Sequence, residues 1–292
     1  MAKVRTKSTA GTTRSGTGAA QFYCASPRVT WLHMRCDQVA VRTAAAILEI
    51  LSKRSPHPVA SGALCSMATD ILALHRCCKW LCQGGWAAAA PGPLRTMLEL
   101  GASAAIVTSA AEPELMGFRY SYGMFREAAQ DSESTEELRE DARLQMEKSI
   151  SRMRPEIQGD ARSLASQRPR SYWYSPDFTG PKEVLKRFAS EDLRRWTYRY
   201  LSAGAHGGFS GMRQFRDDPD QLGAEPRPDP RAQTLVLVMS GRLLLEFCRV
   251  RGEFEVPGSE RAFARLILQS AEILAEAVSE VGIPMWGRDT ES

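Results

Sequence analysis

The chain has 292 residues, 43% of them hydrophobic and 25% charged, with a net charge of +4. That length can bury a sizeable core, and that composition excludes a wholly disordered chain, a collagen-like chain and a polytopic membrane protein. The charge is too mild for a strongly basic nucleic-acid binder, although a local patch stays open to it. Arginine outnumbers lysine 31 to 7, a bias that goes with abundant alanine and a GC-rich genome more readily than with phosphate contacts.

No acidic residue precedes Asp37, and Gly11, Gly16 and Gly18 interrupt a basic, Ser/Thr-rich start. This stretch has no amphipathic face, so residues 1–25 are expected to form a disordered basic tail. It also lacks the Lys-Ser/Thr ending of a phosphate loop. Residues 26–284 are expected to form a single helical domain and 285–292 a flexible C-terminal tail. The seven cysteines are Cys24, Cys36, Cys65, Cys77, Cys78, Cys82 and Cys248. An odd number, uneven spacing and no secretory signal argue for a reducing, cytoplasmic setting over a disulfide framework. No apolar run reaches the roughly 20 residues needed to span a bilayer.

Helical periodicity runs through almost the whole chain. A first helix is expected over about 29–52, ended by Pro56 and Pro58, because proline cannot continue the hydrogen-bond ladder. The second carries Leu64, Met67, Ile71, Leu74, Cys78 and Leu81 in steps of three and four and stops at Gly84 and Gly85. Pro91 and Pro93 open a third, with Leu94, Met97, Leu98 and Ala105 on one side. Pro113 opens a fourth, with Leu115, Phe118, Tyr122 and Phe125 in register. Ser134 and Glu137 read as a capping box for a fifth, whose stripe is Leu138, Ala142, Met146, Ile150 and Met153.

Residues 154–180 show no sustained period and read as a long irregular connection. A short helix is expected over 181–189, then another capped by Ser190 with Leu193, Trp196 and Tyr200 inward, broken at Gly204, Gly207 and Gly208. A second polar loop spans 217–230. The segment 235–250 is apolar nearly all round and therefore central. A last helix carries Phe263, Leu266, Ile267, Leu274, Ala277 and Val281. With no strand signature and no internal repeat, the fold class is all-α, a bundle of about seven to nine helices with two long irregular loops.

Three segments invite a chemical reading. His75, Cys78 and Cys82 share a helix face, but a structural zinc site needs four ligands and no CxxC or HExxH motif supplies the rest; core packing is the stronger explanation. Arg168, Arg170, Tyr172, Trp173 and Tyr174 could stack on nucleic acid, although loop aromatics more often dock the loop onto its bundle. Arg199 precedes His206 by six intervening residues at an expected helix end. That spacing resembles the Arg-x(4–6)-His signature of HEPN proteins, which are helical, usually dimeric, and include metal-independent endoribonucleases. His206 would move a proton at the ribose or the leaving oxygen, and Arg199 would hold phosphate. The alternative is a histidine that caps a helix or ties down a loop.

Arg95-Thr-Met-Leu-Glu99, Phe118-Arg119-Tyr120 and Tyr198-Arg-Tyr-Leu-Ser202 with His206 also resemble the motifs of a bacterial all-helical domain-of-unknown-function family, number fifty-six seventy-seven. The resemblance covers roughly residues 60–250 and implies a fold and a shared site, not an activity. On helix geometry alone Arg95 and Glu99 can pair at i, i+4, as a surface salt bridge or as part of an inward network. The network would gather Arg95, Glu99, Arg119, Tyr198, Ser202 and His206 into a polar pocket at the bundle centre. The functional expectation is therefore a helical binding or interaction module, with the ribonuclease using Arg199 and His206 as the alternative. No cofactor, metal or membrane is expected. The expected partner is RNA or a protein, a homodimer fits the HEPN resemblance, and whether the chain is an enzyme stays open.

Overall fold

The computed structural model describes residues 27, 29–31, 33, 34, 37, 38, 56–130, 135–166, 183–185 and 230–255. Among them lie six helices: α1 (Pro58–Gln83), α2 (Pro91–Ser109), α3 (Pro113–Gln130), α4 (Glu136–Arg152), α5 (Pro155–Ser166) and α6 (Pro230–Glu255). The described residues from 27 to 38 and 183–185 are helical too, and no strand occurs among the described residues. The all-α class holds. The helices expected at 181–189 (beyond 183–185), after Ser190 and over Phe263 to Val281, both tails and the 217–229 loop lie outside the described residues.

Five of the six helices begin at a proline. The first helical N–H has no intrahelical partner, so proline loses nothing there, and its fixed φ suits the first turn. The end of α1 follows equally local rules. Gly85 takes φ 78°, Trp86 N–H donates to Leu81 C=O at 2.7 Å and Gly85 N–H to Cys82 C=O at 3.1 Å. This is a Schellman stop, which needs a residue that tolerates the left-handed region.

Helix α1 is the hub, packing on α2, α3 and α6, while α4 and α5 pack on α3. Its buried seam is Ala60, Leu64, Met67, Ile71, His75, Cys78 and Cys82. The expected positions Leu74 and Leu81 only flank this core, and His75 and Cys82 take their places. Buried small residues of α2, including Gly101, Ala102, Ala104 and Ala105, line the same core. As its composition implies, α6 is buried nearly all round: Leu235 to Met239, Leu243 to Leu245, Phe247, Cys248 and Val250 are all buried. Each fully buried Leu, Ile, Met or Phe contributes about 1.5–3 kcal/mol over its exposed state. A second core joins Val59, Phe118, Ile150, Met153, Ile157 and Ala161.

Two expectations shift. The cap of α4 is Thr135, whose side chain accepts from Leu138 N–H at 3.3 Å, one residue after the expected Ser134. Leu138 itself is 57% exposed, so the α4 stripe starts at Ala142. Within 154–180, residues 155–166 are helix rather than loop. Ile157 and Ala161 bury one short face, with Ala165 packed beside them, and Tyr122 OH donates to Ala165 C=O at 2.6 Å.

The two cores are joined where α3 crosses the start of α1. His57 provides no side-chain cap there. Instead the buried Glu114 carboxylate accepts Val59 N–H at 2.8 Å and Ala60 N–H at 2.9 Å, satisfying two of the free amides of α1. Burial raises the Glu114 pKa, against the Ala60 and Val59 hydrogen bonds and the Arg154 charge, with Glu112 adding to the rise. One turn on, a Cβ on Gly117 would stand 2.6 Å from Ala60 Cα, so only glycine permits this approach. Glu114→Ala is expected to lower stability by about 1–2 kcal/mol through loss of the cap, and Glu114→Gln, which keeps an acceptor oxygen, by less. Gly117→Ala is expected to cost about 1–3 kcal/mol by overpacking. Gly62, with open space around its Cβ position, should instead gain roughly 0.5–1 kcal/mol as alanine. Urea denaturation of the four variants checks all of these.

Candidate functional site

A helix with 3.6 residues per turn places every fourth residue on one side. On α1 and the residue before it, that rule aligns His57, Ser61 and Cys65. The C-terminal end of α6 faces them with Arg251, Phe254 and Glu255. Ser61 Oγ donates to Glu255 Oε2 at 3.1 Å, and Arg251 Nη2 donates to Cys65 Sγ at 3.0 Å. The His57 and Phe254 rings lie 5.4 Å apart. Ser61 is fully buried and Arg251 is 3% exposed, while His57, Cys65 and Glu255 are half-buried. The junction is therefore polar inside and reachable at its rim.

The electrostatics of this junction are incomplete. Among the described residues no carboxylate comes within 4 Å of the Arg251 guanidinium, whose Nε has no hydrogen-bond partner, nor has Glu255 Oε1. Burial raises the Glu255 pKa, opposed by the Ser61 hydrogen bond and the Arg251 charge. Burial likewise pushes the Cys248 thiol up to about 12, with Arg251 pulling it down. An arginine cannot escape burial by losing its proton, so its remaining donors are left to seek an acceptor. By contrast, the neighbouring charges of α6 are all matched: Arg242 with Glu246 at 2.6 Å, and Arg249 with Glu246 and Glu253 at 2.9 and 2.7 Å.

A second buried polar contact joins the N-terminal helical segment to α1. The His33 and His75 rings are stacked at 3.8 Å between centroids and 8° from parallel. Cys78 and Cys82 follow His75 on the same buried face. Cys82 exchanges contacts with Gln233 of α6, whose Nε2 donates to Cys82 C=O at 3.1 Å. The ordering along this face is core packing. Among the described residues no group of three or more His, Cys, Asp or Glu side chains is placed to hold a metal ion.

The residues picked from sequence divide. Arg95 Nε and Glu99 Oε1 pair at 2.9 Å along α2, with side chains 25% and 46% exposed. This is the i, i+4 pair that helix geometry allows in either reading. Arg119 is half-buried on α3, between Phe118 in the second core and Tyr120 against the first. Burial raises the Tyr120 pKa, helped by Asp70. Tyr198, Arg199, Ser202 and His206, and the aromatic cluster from Arg168 to Tyr174, lie outside the described residues. Ser61, Arg251, Glu255 and His33 were not picked. The available signal was the polar i, i+4 spacing of Ser61 with Cys65 and of Arg251 with Glu255, each set in an apolar helix.

The model of a family of unknown function, DUF5677, matches residues 62–222, from the first turns of α1 past the end of α5. No curated protein and no solved structure matches. Among the described residues no helix is long and apolar enough to cross a membrane.

Two outcomes follow from the site geometry. Glu99→Gln, which neutralises the exposed partner of Arg95, should change stability by less than about 1 kcal/mol. In brief alkylation of the native chain, peptide mass spectrometry should find Cys65 and Cys77 modified before Cys78, Cys82 and Cys248. The last three are buried, and burial raises the Cys78 thiol and pushes Cys82 and Cys248 up to about 12.

Proposed function

Since the chain belongs to DUF5677, a family of unknown function, we propose that it is a helical binding module that takes up an anionic group where α1 and α6 meet. The observation that carries this reading is Arg251. It is a cation 3% exposed, hydrogen-bonded to a sulfur and without a carboxylate at ion-pair distance among the described residues. A buried charge in this condition is costly unless something else pairs with it. A phosphate or carboxylate oxygen would use the guanidinium donors, and Ser61 and His57 would border it. The rest of the bundle is the frame: α1 and α6 each pack into the first core along their length and carry the two sides of the junction.

The reading fits a reducing compartment, because Cys65, Cys77, Cys78, Cys82 and Cys248 are free thiols. The ribonuclease remains the second reading. It is favoured by Arg199 and His206, which fall within the matched family segment. An RNA substrate and a homodimer belong to that reading.

The two are separated by experiment. Inorganic phosphate, a nucleoside monophosphate and a short RNA are added to the full chain in thermal melts at low ionic strength. Binding at the junction is expected to raise the melting temperature of the wild type and not of Arg251→Met. At one hundred times Kd the stabilisation amounts to about 2.7 kcal/mol. An equal rise in both proteins counts against the junction. RNA cleavage in EDTA that is lost in His206→Ala would establish the ribonuclease, and equal rates would remove it.

A further inference from the structure

Of the polar contacts buried in this molecule, the one between His33 and His75 joins separate chain segments without a hydrogen bond between its side chains. The two imidazoles are 4% and 0% exposed and stack nearly parallel at 3.8 Å. Nε2 of both rings and Nδ1 of His75 have no hydrogen-bond partner. Stacked neutral imidazoles are two flat, weakly polar rings, and this packing suits them. Stacked imidazolium rings are two like charges in an apolar setting, which the setting penalises twice over.

The surroundings do little to relieve that penalty. From the N-terminal segment, Asp37 faces the pair and favours charge on His33, but it is engaged by Arg76 at 3.4 Å. From α1, Lys79 opposes charge on His33 and Arg76 opposes it on His75. Cys78 and Cys82 follow on the same face, with thiols that burial keeps protonated. The His75 backbone favours charge on His33, and the backbones of His33 and of Ser240 from α6 favour it on His75. Burial outweighs these contributions. It lowers His33 to about 4 and His75 well below the ordinary value of 6.5.

We propose that the stacked His33–His75 contact is an acid-release latch: neutral imidazoles dock the N-terminal helical segment on α1, and protonation undocks that segment while the bundle stays folded. The direction follows from linkage. Both histidines bind protons more weakly when docked than when free, so docking is unaffected above pH 6.5 and weakens as pH falls below it. The weakening continues down to about pH 4, where docked His33 itself takes a proton. Over that interval docking weakens progressively as the released histidines take up protons that the docked rings refuse. The rest of the bundle has its own attachment, because α3, α4 and α5 meet in the second core away from this contact.

Hydrogen exchange of the full chain, read by mass spectrometry from pH 7.5 to 4.5 and corrected for intrinsic rates, tests the latch. Protection of residues 27–38 is expected to fall below pH 6.5 while that of α3 holds. His33→Phe and His75→Phe keep a flat ring that takes no proton, and each should reduce the pH dependence; the double variant should keep the segment docked at pH 4.5. Should His75→Phe fail to fold, His33→Phe is read alone, together with the wild-type imidazole titration by NMR, in which His33 must charge as the segment is released. Three results would overturn the proposal: undiminished protection of 27–38 at pH 4.5 in the wild type, the same pH curve in the phenylalanine variants, or loss of α3 protection at the same midpoint, which would mean global unfolding.

Discussion

The whole arrangement depends on how α1 begins. A helix start leaves amides without partners, and here the partner comes from another helix: Glu114 at the head of α3. The same crossing brings Gly117 against Ala60 so closely that a methyl group would collide with the backbone. One contact therefore fixes distance and the other fixes direction. Together they set the rotation of α1, and that rotation decides which side chains face α6. With Ala60 held against α3, Ser61 and Cys65 face Glu255 and Arg251. The acid tolerates burial because amide dipoles and Arg154 stabilise its charge, although its raised pKa shows that burial still dominates.

Much of the fold was legible because its signals are local. Proline at a helix start, glycine at a helix stop and an apolar repeat each act within a few residues. The all-round apolar character of 235–250 correctly placed α6 at the centre. The failures have physical causes too. A strict seam of alternating three and four averages 3.5 residues per turn, whereas an α-helix has 3.6. Over the five turns from Leu64 to Cys82 the contact line drifts by about half a residue, enough for His75 and Cys82 to replace Leu74 and Leu81. A polar residue in an apolar seam looks like an interruption in sequence, and only the drift shows it to be part of the core. Residues 155–166 escaped because Gly159 and a short apolar face give a weak period, while Tyr122 and the second core supply what that segment cannot.

The site was less legible than the fold. Arg95 and Glu99 pair as helix geometry requires, since both partners lie on one helix and four residues apart. The α1–α6 junction joins residues 186 and 194 positions apart, and no local pattern encodes such a pairing. Its ingredients, a serine, a cysteine, an arginine and a glutamate, are each unremarkable alone. The matched family segment ends before α6, so the two sides of the junction differ: Cys65 falls inside the segment and Arg251 outside it.

Among the described residues, buried histidine and buried arginine meet the same problem differently. Apolar surroundings penalise charge, and histidine answers by giving up its proton. His33 and His75 become flat packing surfaces, at the cost of a dependence on pH that a pair of phenylalanines would lack. Arginine has no such answer, because its guanidinium keeps its charge at any pH a protein survives. Arg251 must be neutralised by a neighbour or by something that comes from outside, and a thiol at 3.0 Å and a carboxylate beyond ion-pair reach do that only in part. The chemistry of the side chain thus separates the two places: burial makes the histidine contact sensitive to acid and leaves the arginine open to an anion.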